Sequence, residues 1–395
     1  MASSEHNPEF SVIDTAPANH VYSGGLICNF QDPSSALSPD YICGELTWDG
    51  VTRNLIWFHW NGTTWIRAYI CRDICIAVGM DVADLTGNGK ADLVAAEWPL
   101  GDRKGILDGH VYWFEQPASP FEEEWVPHVL ATGWSRAHDL EIGNISGAGG
   151  PDVLVRLKDG RISWYSKPDD PRTPWTDTLI AESLPGDGTV LYDVTGTGSL
   201  DVVTGSGFFE NTNGNGTNWK FHPFPQATEL KIDHETRVVA GDCVGDGSVT
   251  VIISESEVLT NARLIALNSR DGGITWTSSI LIDRETDVGA LHSLQLLDTN
   301  GNGRPDIFTA EMELYVKDTE IIRRPTWNVL LNRGNLEFDR HIVFDENLGA
   351  HMGFAGKITS MERTDFVAKN WQANEDNAWE AVNHVVHVSG WSAES

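Results

Sequence analysis

No stretch of this chain approaches 18 consecutive apolar residues, so no membrane-spanning helix is expected. Cysteine is scarce. Five in 395 residues cannot all pair, and Cys71 and Cys75, with three residues between them, lack the second pair a zinc ribbon needs. Basic residues are also few, 27 against 57 acidic ones, and the formal charge of −30 argues against nucleic acid and anionic membranes as partners. Sustained helical periodicity is missing. The segment Met1–Pro8 has neither the basic head nor the apolar core of a signal peptide. The chain as given therefore reads as cytoplasmic, or as secreted if a leader has been removed. Sequons at Asn61, Asn144 and Asn215 leave the second open.

What is present is a repeat. His292-Ser-Leu-Gln-Leu-Leu-Asp298 runs into Thr-Asn-Gly-Asn-Gly-Arg-Pro-Asp306 and then Ile-Phe-Thr-Ala-Glu311. The frame recurs around Asp84 to Glu97, Asn144 to Asp152, Asp193 to Asp201, Asp242 to Thr250 and, degenerate, Lys357 to Asp365. Each copy alternates apolar and polar residues on both sides of a Gly/Asn/Asp loop, the signal of strand, turn and strand. The copies lie about 50 to 60 residues apart, which suits four-stranded propeller blades. A weaker copy, Ile42 to Phe58, makes seven.

The fold class expected is thus all-β: one seven-bladed propeller over residues 1–395, with anchors near 46, 84, 144, 193, 242, 298 and 357. Inner strands are expected at Val82–Asp84, Leu140–Asn144, Val190–Asp193, Val238–Asp242, Ser293–Asp298 and Met352–Lys357, with one near Gly44. Tryptophans 125, 175, 219 and 276 open the expected fourth strands, and the tail from Val382 to Val388 reads as a late strand able to pair with the N-terminal chain.

Six residues before the first loop residue, the copies carry His138, Asp187, Thr236, His292 and His351. Radial stacking places equivalent positions in a ring, so three histidines there point to a site. Counting across each hairpin adds Asp81, Glu97, Glu255 and Glu311 to the same rim. Arg237 begins an inner strand beside them, and Tyr192 ends another. Neutral imidazole can remove a proton near pH 7, and a nearby cation can stabilise an enolate. Zinc at the histidine ring is the weaker metal reading, because ring positions two blades apart are distant. In the loop of blade six, Asp298, Asn300, Asn302 and Asp306 offer oxygens at alternate positions, as a structural calcium site would; the competing reading is a self-satisfied Asx turn. The chemistry itself requires no cofactor.

The repeats resemble propellers of the FG-GAP or VCBS class. Gly109-His-Val-Tyr-Trp-Phe-Glu-Gln-Pro117, Arg136-Ala-His-Asp-Leu-Glu-Ile-Gly143 and Leu291-His-Ser-Leu-Gln-Leu-Leu-Asp-Thr-Asn-Gly-Asn-Gly303 resemble the propeller part of fungal aldos-2-ulose (1,5-anhydrofructose) dehydratases. That resemblance implies a catalytic role for His138. The chain departs from the family in carrying Asp81 where the family has His, and in having no cupin segment after the repeats. By length, architecture and Trp-rich composition it is also similar to fungal rhamnose–glucuronate lyases, polysaccharide lyases that act on gum arabic. Both families remove a proton beside a carbonyl or carboxylate and expel a β-oxygen.

The expected function is a carbon–oxygen lyase on a sugar or oligosaccharide, acting as a monomer. Rhamnose–glucuronate cleavage is the first reading and 1,5-anhydrofructose dehydration the second. In it His138, His292, His351 and Tyr192 are the catalytic candidates, and Arg237, Asp81, Asp187, Glu97, Glu255 and Glu311 the substrate-binding ones. A glycan-binding lectin and a protein-interaction scaffold are the alternatives of other classes. The unequal residues at one ring position favour a single asymmetric site over one site per blade.

Overall fold

The computed structural model describes residues 8–17, 20–47, 51–74, 76–97, 109–134, 137–158, 160–312, 315–317, 320–346, 348–370 and 383–392. Seven four-stranded antiparallel sheets follow one another around a ring. Their innermost strands are His20–Cys28, Ile76–Ala83, Ala137–Gly143, Thr189–Tyr192, Thr236–Gly241, Leu291–Leu297 and Met352–Gly356, for blades 1 to 7 in that order. Each innermost strand touches the next, and the seventh touches the first.

Blade 1 differs from expectation. Gly44 lies on its second strand, Asp40–Thr47, and the inner position belongs to His20–Cys28. That strand is interrupted by a bulge between Ser23 and Leu26, so period-two alternation is lost where it would have announced an inner strand. The ring closes as the C-terminal tail suggests. His384–Trp391 pairs with Glu9–Thr15, which becomes the outermost strand of blade 7. Both terminal strands thus share one sheet, which ties the two ends of the ring together.

One buried aspartate pins most of the repeats. Asp92, Asp152, Asp201, Asp306 and Asp365 open the second strands of blades 2, 3, 4, 6 and 7 and are at most 2% exposed. One oxygen accepts from the loop behind it: Leu85 and Thr86 N–H for Asp92, Ser146 for Asp152, Val194 and Thr195 for Asp201, Thr299 for Asp306, Thr359 for Asp365. The other accepts from the third strand or its end, at Gln116, Lys167, Asn211, Asn332 and Gly390. A carboxylate takes several donors at once, and charge-assisted bonds in a dry site are the strong ones. Blade 1 makes its own version, with Asp40 accepting from Phe30 N–H and Trp57 Nε1. Blade 5 has Thr250 instead, and Asn268 Nδ2 bridges to its hydroxyl.

The tryptophans opening the fourth strands are structural. The indole N–H groups of Trp125, Trp175, Trp219 and Trp276 donate to the carbonyls of Pro120, Pro171, Gly216 and Gly273 in the preceding turns. Their rings pack with the apolar strands around them.

Replacing Asp306 with Ala should lower the unfolding free energy by about 3 kcal/mol, since buried donors on two strands lose one charged acceptor. Asp298→Ala, at the more exposed loop start, should cost about 1 kcal/mol. Urea unfolding of both variants checks this, and equal losses would refute the pin.

Candidate functional site

An axial channel of about 250 Å³ runs between the inner strands, lined by glycines, aliphatic side chains, His138, Asp139, Asp81, Glu141 and Arg237. The inner strands begin at one face, here the top, and the site lies there. Arg237 is at its centre. Its Nη2 donates to His292 Nε2 (2.7 Å), its Nη1 approaches His138 Nδ1 (3.3 Å), and its Nε donates to the His292 carbonyl (3.3 Å). Asp187 Oδ2 and Asp139 Oδ1 lie 3.7 and 3.9 Å from Nη1. Arg237 is the one Lys or Arg among the described residues lining the channel.

Two of the three histidines stand on β-bulges. The pairing jumps from Ala137 to Asp139 in blade 3 and from Leu291 to Ser293 in blade 6, leaving His138 and His292 without a cross-strand partner. A bulge re-aims its side chain, and here it turns imidazoles toward Arg237. His138 has an acid at each ring nitrogen, Asp139 at 3.3 Å from Nδ1 and Asp187 at 3.4 Å from Nε2. Burial pushes the Asp139 carboxyl up, but the His138 hydrogen bond and the charges of His138, Arg237 and Arg156 outweigh it and hold it at about 2.

His292 and His351 are part of the cluster but do not line the channel; they are 1% and 4% exposed. Their rings stack at 4.1 Å. His292 Nδ1 donates to the His351 carbonyl at 2.5 Å, which fixes Nε2 as the acceptor for Arg237. Burial and the Arg237 charge lower the His292 pKa to about 4, so the ring is neutral near pH 7. Burial and then Lys369 hold His351 well below its ordinary range. Lys369 Nζ donates to His351 Nδ1 (2.6 Å) and to the Tyr22 carbonyl (3.0 Å). With 0% exposure, and Arg237 adding repulsion, its pKa falls to about 7.

The remaining candidates divide. Asp187 belongs to the site: Oδ1 accepts from Thr236 N–H, and Oδ2 faces His138. Asp81 lines the channel, where its carboxylate joins blades 2 and 3 by accepting from Val82 and Ile142 N–H; burial raises it to about 6. Glu97, Glu255 and Glu311 do not join the rim. Glu97 pairs with His110, Glu255 with Arg263, and Glu311 with Arg323, Thr326 and Gly289 N–H, all within their own blades or the connection beside them. The bulges shift the count across the hairpin, so Glu311 faces Leu291 and Glu97 faces Ile76. Tyr192 ends its inner strand three residues beyond Thr189, about 10 Å toward the opposite face, and packs with the blade 4–5 core.

The blade 6 loop is built as an Asx turn. Asp298 accepts from Gly301, Asn302 and Gly303 N–H, Asn300 from Asn302 N–H, and Asn302 from Arg304 N–H. Asp306 is turned inward to Thr299 and Asn332. Asp193 and Asp242 cap their loops in the same way without the calcium-like pattern. The oxygens of the four expected ligands are thus engaged by N–H groups of the loop and of its blade. Among the described residues no group of three His, Cys, Asp or Glu is arranged to hold a metal. Cys75 lies outside the described residues; Cys71 is buried.

Sequence reasoning missed Asp139, Lys158, Glu257 and Lys369. Lys158 pairs with Glu235 (2.7 Å) and lies 3.9 Å from Asp187 and 4.0 Å from Glu257. Burial raises the Glu257 carboxyl, but His292, Lys158 and Arg237 bring it down to about 2. A lysine closing the apolar run Phe366-Val-Ala-Lys369 was a readable signal, because an unpaired lysine is almost never fully buried.

No protein-family model matches the chain, and no curated protein matches it. Two solved structures of NanB sialidase are similar in form. One is NanB with optactamide, with a TM-score of 0.47, 11% identity, and coverage of 96% of this chain and 70% of that one. The other is a point mutant of NanB sialidase from Streptococcus pneumoniae, with a TM-score of 0.46 and the same identity and coverage.

The depressed Lys369 gives a signed pH test. Between about 7 and the ordinary lysine value of 10.5, the unfolded chain holds a proton that the folded one lacks. Stability from this group therefore rises with pH across that window and is at its lowest below it. The unfolding free energy of wild type minus that of Lys369→Met should climb by about 1.4 kcal/mol per pH unit there. A flat difference would show that Lys369 keeps its ordinary protonation.

Proposed function

We propose that the protein is a carbon–oxygen lyase acting on a sugar at the top of the channel, by proton abstraction and β-elimination. The observation that carries this reading is Arg237, a guanidinium on the channel wall held between two imidazoles, one of which, His138, lines the channel with it. That is the pair a β-elimination needs: a base beside a cation that can stabilise enolate charge.

The roles follow from the hydrogen bonds. In the resting site His138 Nδ1 faces Arg237 and its Nε2 faces Asp187. A substrate carboxylate competes with Asp139 and Asp187 for the guanidinium. Engaging Nη1, which stands 3.3 Å from Nδ1, the substrate frees the Nδ1 lone pair of His138 in the tautomer whose Nε2–H faces Asp187. That nitrogen takes the proton α to the carboxylate, and the C–H electrons become the new carbon–carbon double bond. The β-carbon–oxygen bond breaks, and the imidazolium, steadied by Asp139 and Asp187, returns the proton to the leaving oxygen. Neutral His292 holds Arg237 in place without adding charge.

Rhamnose linked to glucuronate is the substrate this scheme suits first, because Arg237 supplies the carboxylate partner. Dehydration of a neutral keto-sugar such as 1,5-anhydrofructose is the second reading, favoured by one observation: Asp139 and Asp187 already face Arg237 at 3.9 and 3.7 Å.

Wild type should generate an ultraviolet-absorbing unsaturated product from gum arabic, from anhydrofructose, or from both; absorbance with neither would end the lyase reading. His138→Ala should reduce kcat by about a thousandfold with its folding intact. Arg237→Ala separates the substrates, with KM rising steeply for the uronate glycan and little for the neutral sugar.

A further inference from the structure

Blade 4 is the shortest in the ring, with strands of 4, 4, 5 and 5 residues. Its second and third strands turn tightly at Gly205 and Ser206 on the top face. The blade therefore stops low, between the connection from blade 3 (Leu184 to Asp187) and the connection to blade 5, which holds the helical turn Pro225–Glu229. A groove of about 400 Å³ fills this notch. Glycine closes its inner side: a Cβ at Gly186 would collide with the His234 carbonyl, and one at Gly205 with the Thr236 hydroxyl.

The groove is amphipathic. Phe221, Phe224 and Ile232 form an apolar wall, while Arg156, Asp187 and His234 contribute polar groups. Phe221 is 38% exposed, and its ring packs on Phe209 at 4.8 Å. Asp187 links the groove to a channel residue, His138. Its side chain is 1% exposed, it lines the groove, and its Oδ2 lies 3.4 Å from His138 Nε2 yet accepts no hydrogen bond from the protein. His138, Arg237 and Lys158 stand 3.4, 3.7 and 3.9 Å from that oxygen, long enough for it to take a further hydroxyl donor.

We propose that this groove holds the part of a glycan that adjoins the reacting sugar, with a pyranose C–H face against Phe221 and a hydroxyl donating toward Asp187. The proposal rests on the lyase reading for the identity of the reacting sugar, and extends it from one sugar to a chain. A polymer whose terminal unit reaches the channel can run outward over the rim, and the low blade 4 is the notch nearest His138 and Asp187. A ring with a polar edge and an apolar face matches a wall of aromatic side chains opposed by charged ones.

Thr228→Trp narrows the groove from its rim, and Phe221→Ala removes the stacking ring; neither residue belongs to the His138–Arg237 cluster. Each variant should raise KM for gum arabic by roughly fivefold to tenfold, the size of one lost apolar ring contact. Turnover of a rhamnosyl–glucuronic acid disaccharide should stay within about twofold of wild type on that same scale. Equal loss on both substrates, or no change on either, would overturn the proposal. Calorimetric titration with gum arabic oligosaccharides separates this outcome from failure of the lyase reading. If no substrate is turned over, weaker binding by Phe221→Ala beside unchanged binding by His138→Ala still supports the groove. Equal binding by all three proteins, or no binding by wild type, overturns it.

Discussion

The whole ring depends on an aspartate in a dry place. A propeller blade is a sheet with both faces covered, so the loop joining its first two strands must be fixed from within. In five blades a carboxylate at the start of the second strand does this, taking loop N–H groups on one oxygen and a third-strand N–H on the other. Each such bond to a charged, buried acceptor contributes more than a neutral one, and leaving its donors unpaired costs as much again. The carboxylate can stay ionised in the interior only because its donors converge on it. The variants that blades 1 and 5 use keep the principle and change the group, with Asp40 reaching an indole N–H and Thr250 reaching an amide.

A pin at the loop end lets the opposite end of each inner strand vary. That end is where the repeat is least regular: bulges at His138 and His292, an Arg at 237, an aspartate at 187 ahead of the strand. The irregularity is also where the charge lies. Arg237 and Lys158 face Asp139, Asp187, Glu235 and Glu257 within 4 Å or so, with two neutral imidazoles packed behind. Asp81 and Glu141 also line the channel, and burial raises the carboxyl pKa of both.

The architecture was legible because its determinants are local. The Gly-Asn-Gly loops, the aspartate eight residues on and the tryptophan opening the fourth strand each act within one hairpin, and so leave a period in the sequence. The histidines at 138 and 292 were legible for the same reason. What failed was counting across strands. One extra residue at a bulge moves every later partner by one, so Glu97 and Glu311 were read onto the rim; Glu255 stands in register with Thr236, yet like the other two it is held by a partner of its own blade. Tyr192 failed on height: alternation says which face a side chain takes, but not which end of the strand meets the site. Lys369 and Glu257 were missed because they reach the cluster from second strands or the turns after them, far in sequence from the histidines they serve.

Under the proposed lyase reading, position 237 shows why one cation would suffice in a chain so acidic. At long range, a formal charge of −30 repels an anionic sugar, and salt screens that repulsion within about 10 Å. What remains at contact is local. There Arg237 is only 12% exposed on its side chain and has two fixed imidazole partners, so little of its rotamer entropy is left to lose on binding. Its two acidic neighbours are at 3.7 and 3.9 Å, long for a salt bridge of full strength, and Asp187 is committed to the Thr236 N–H by its other oxygen. A substrate carboxylate that meets the guanidinium fork at hydrogen-bond distance therefore has the advantage of geometry over carboxylates already held elsewhere. Under the proposed lyase reading, a neutral sugar has no charge with which to enter that competition, so the arginine would distinguish substrates by the charge they carry to it.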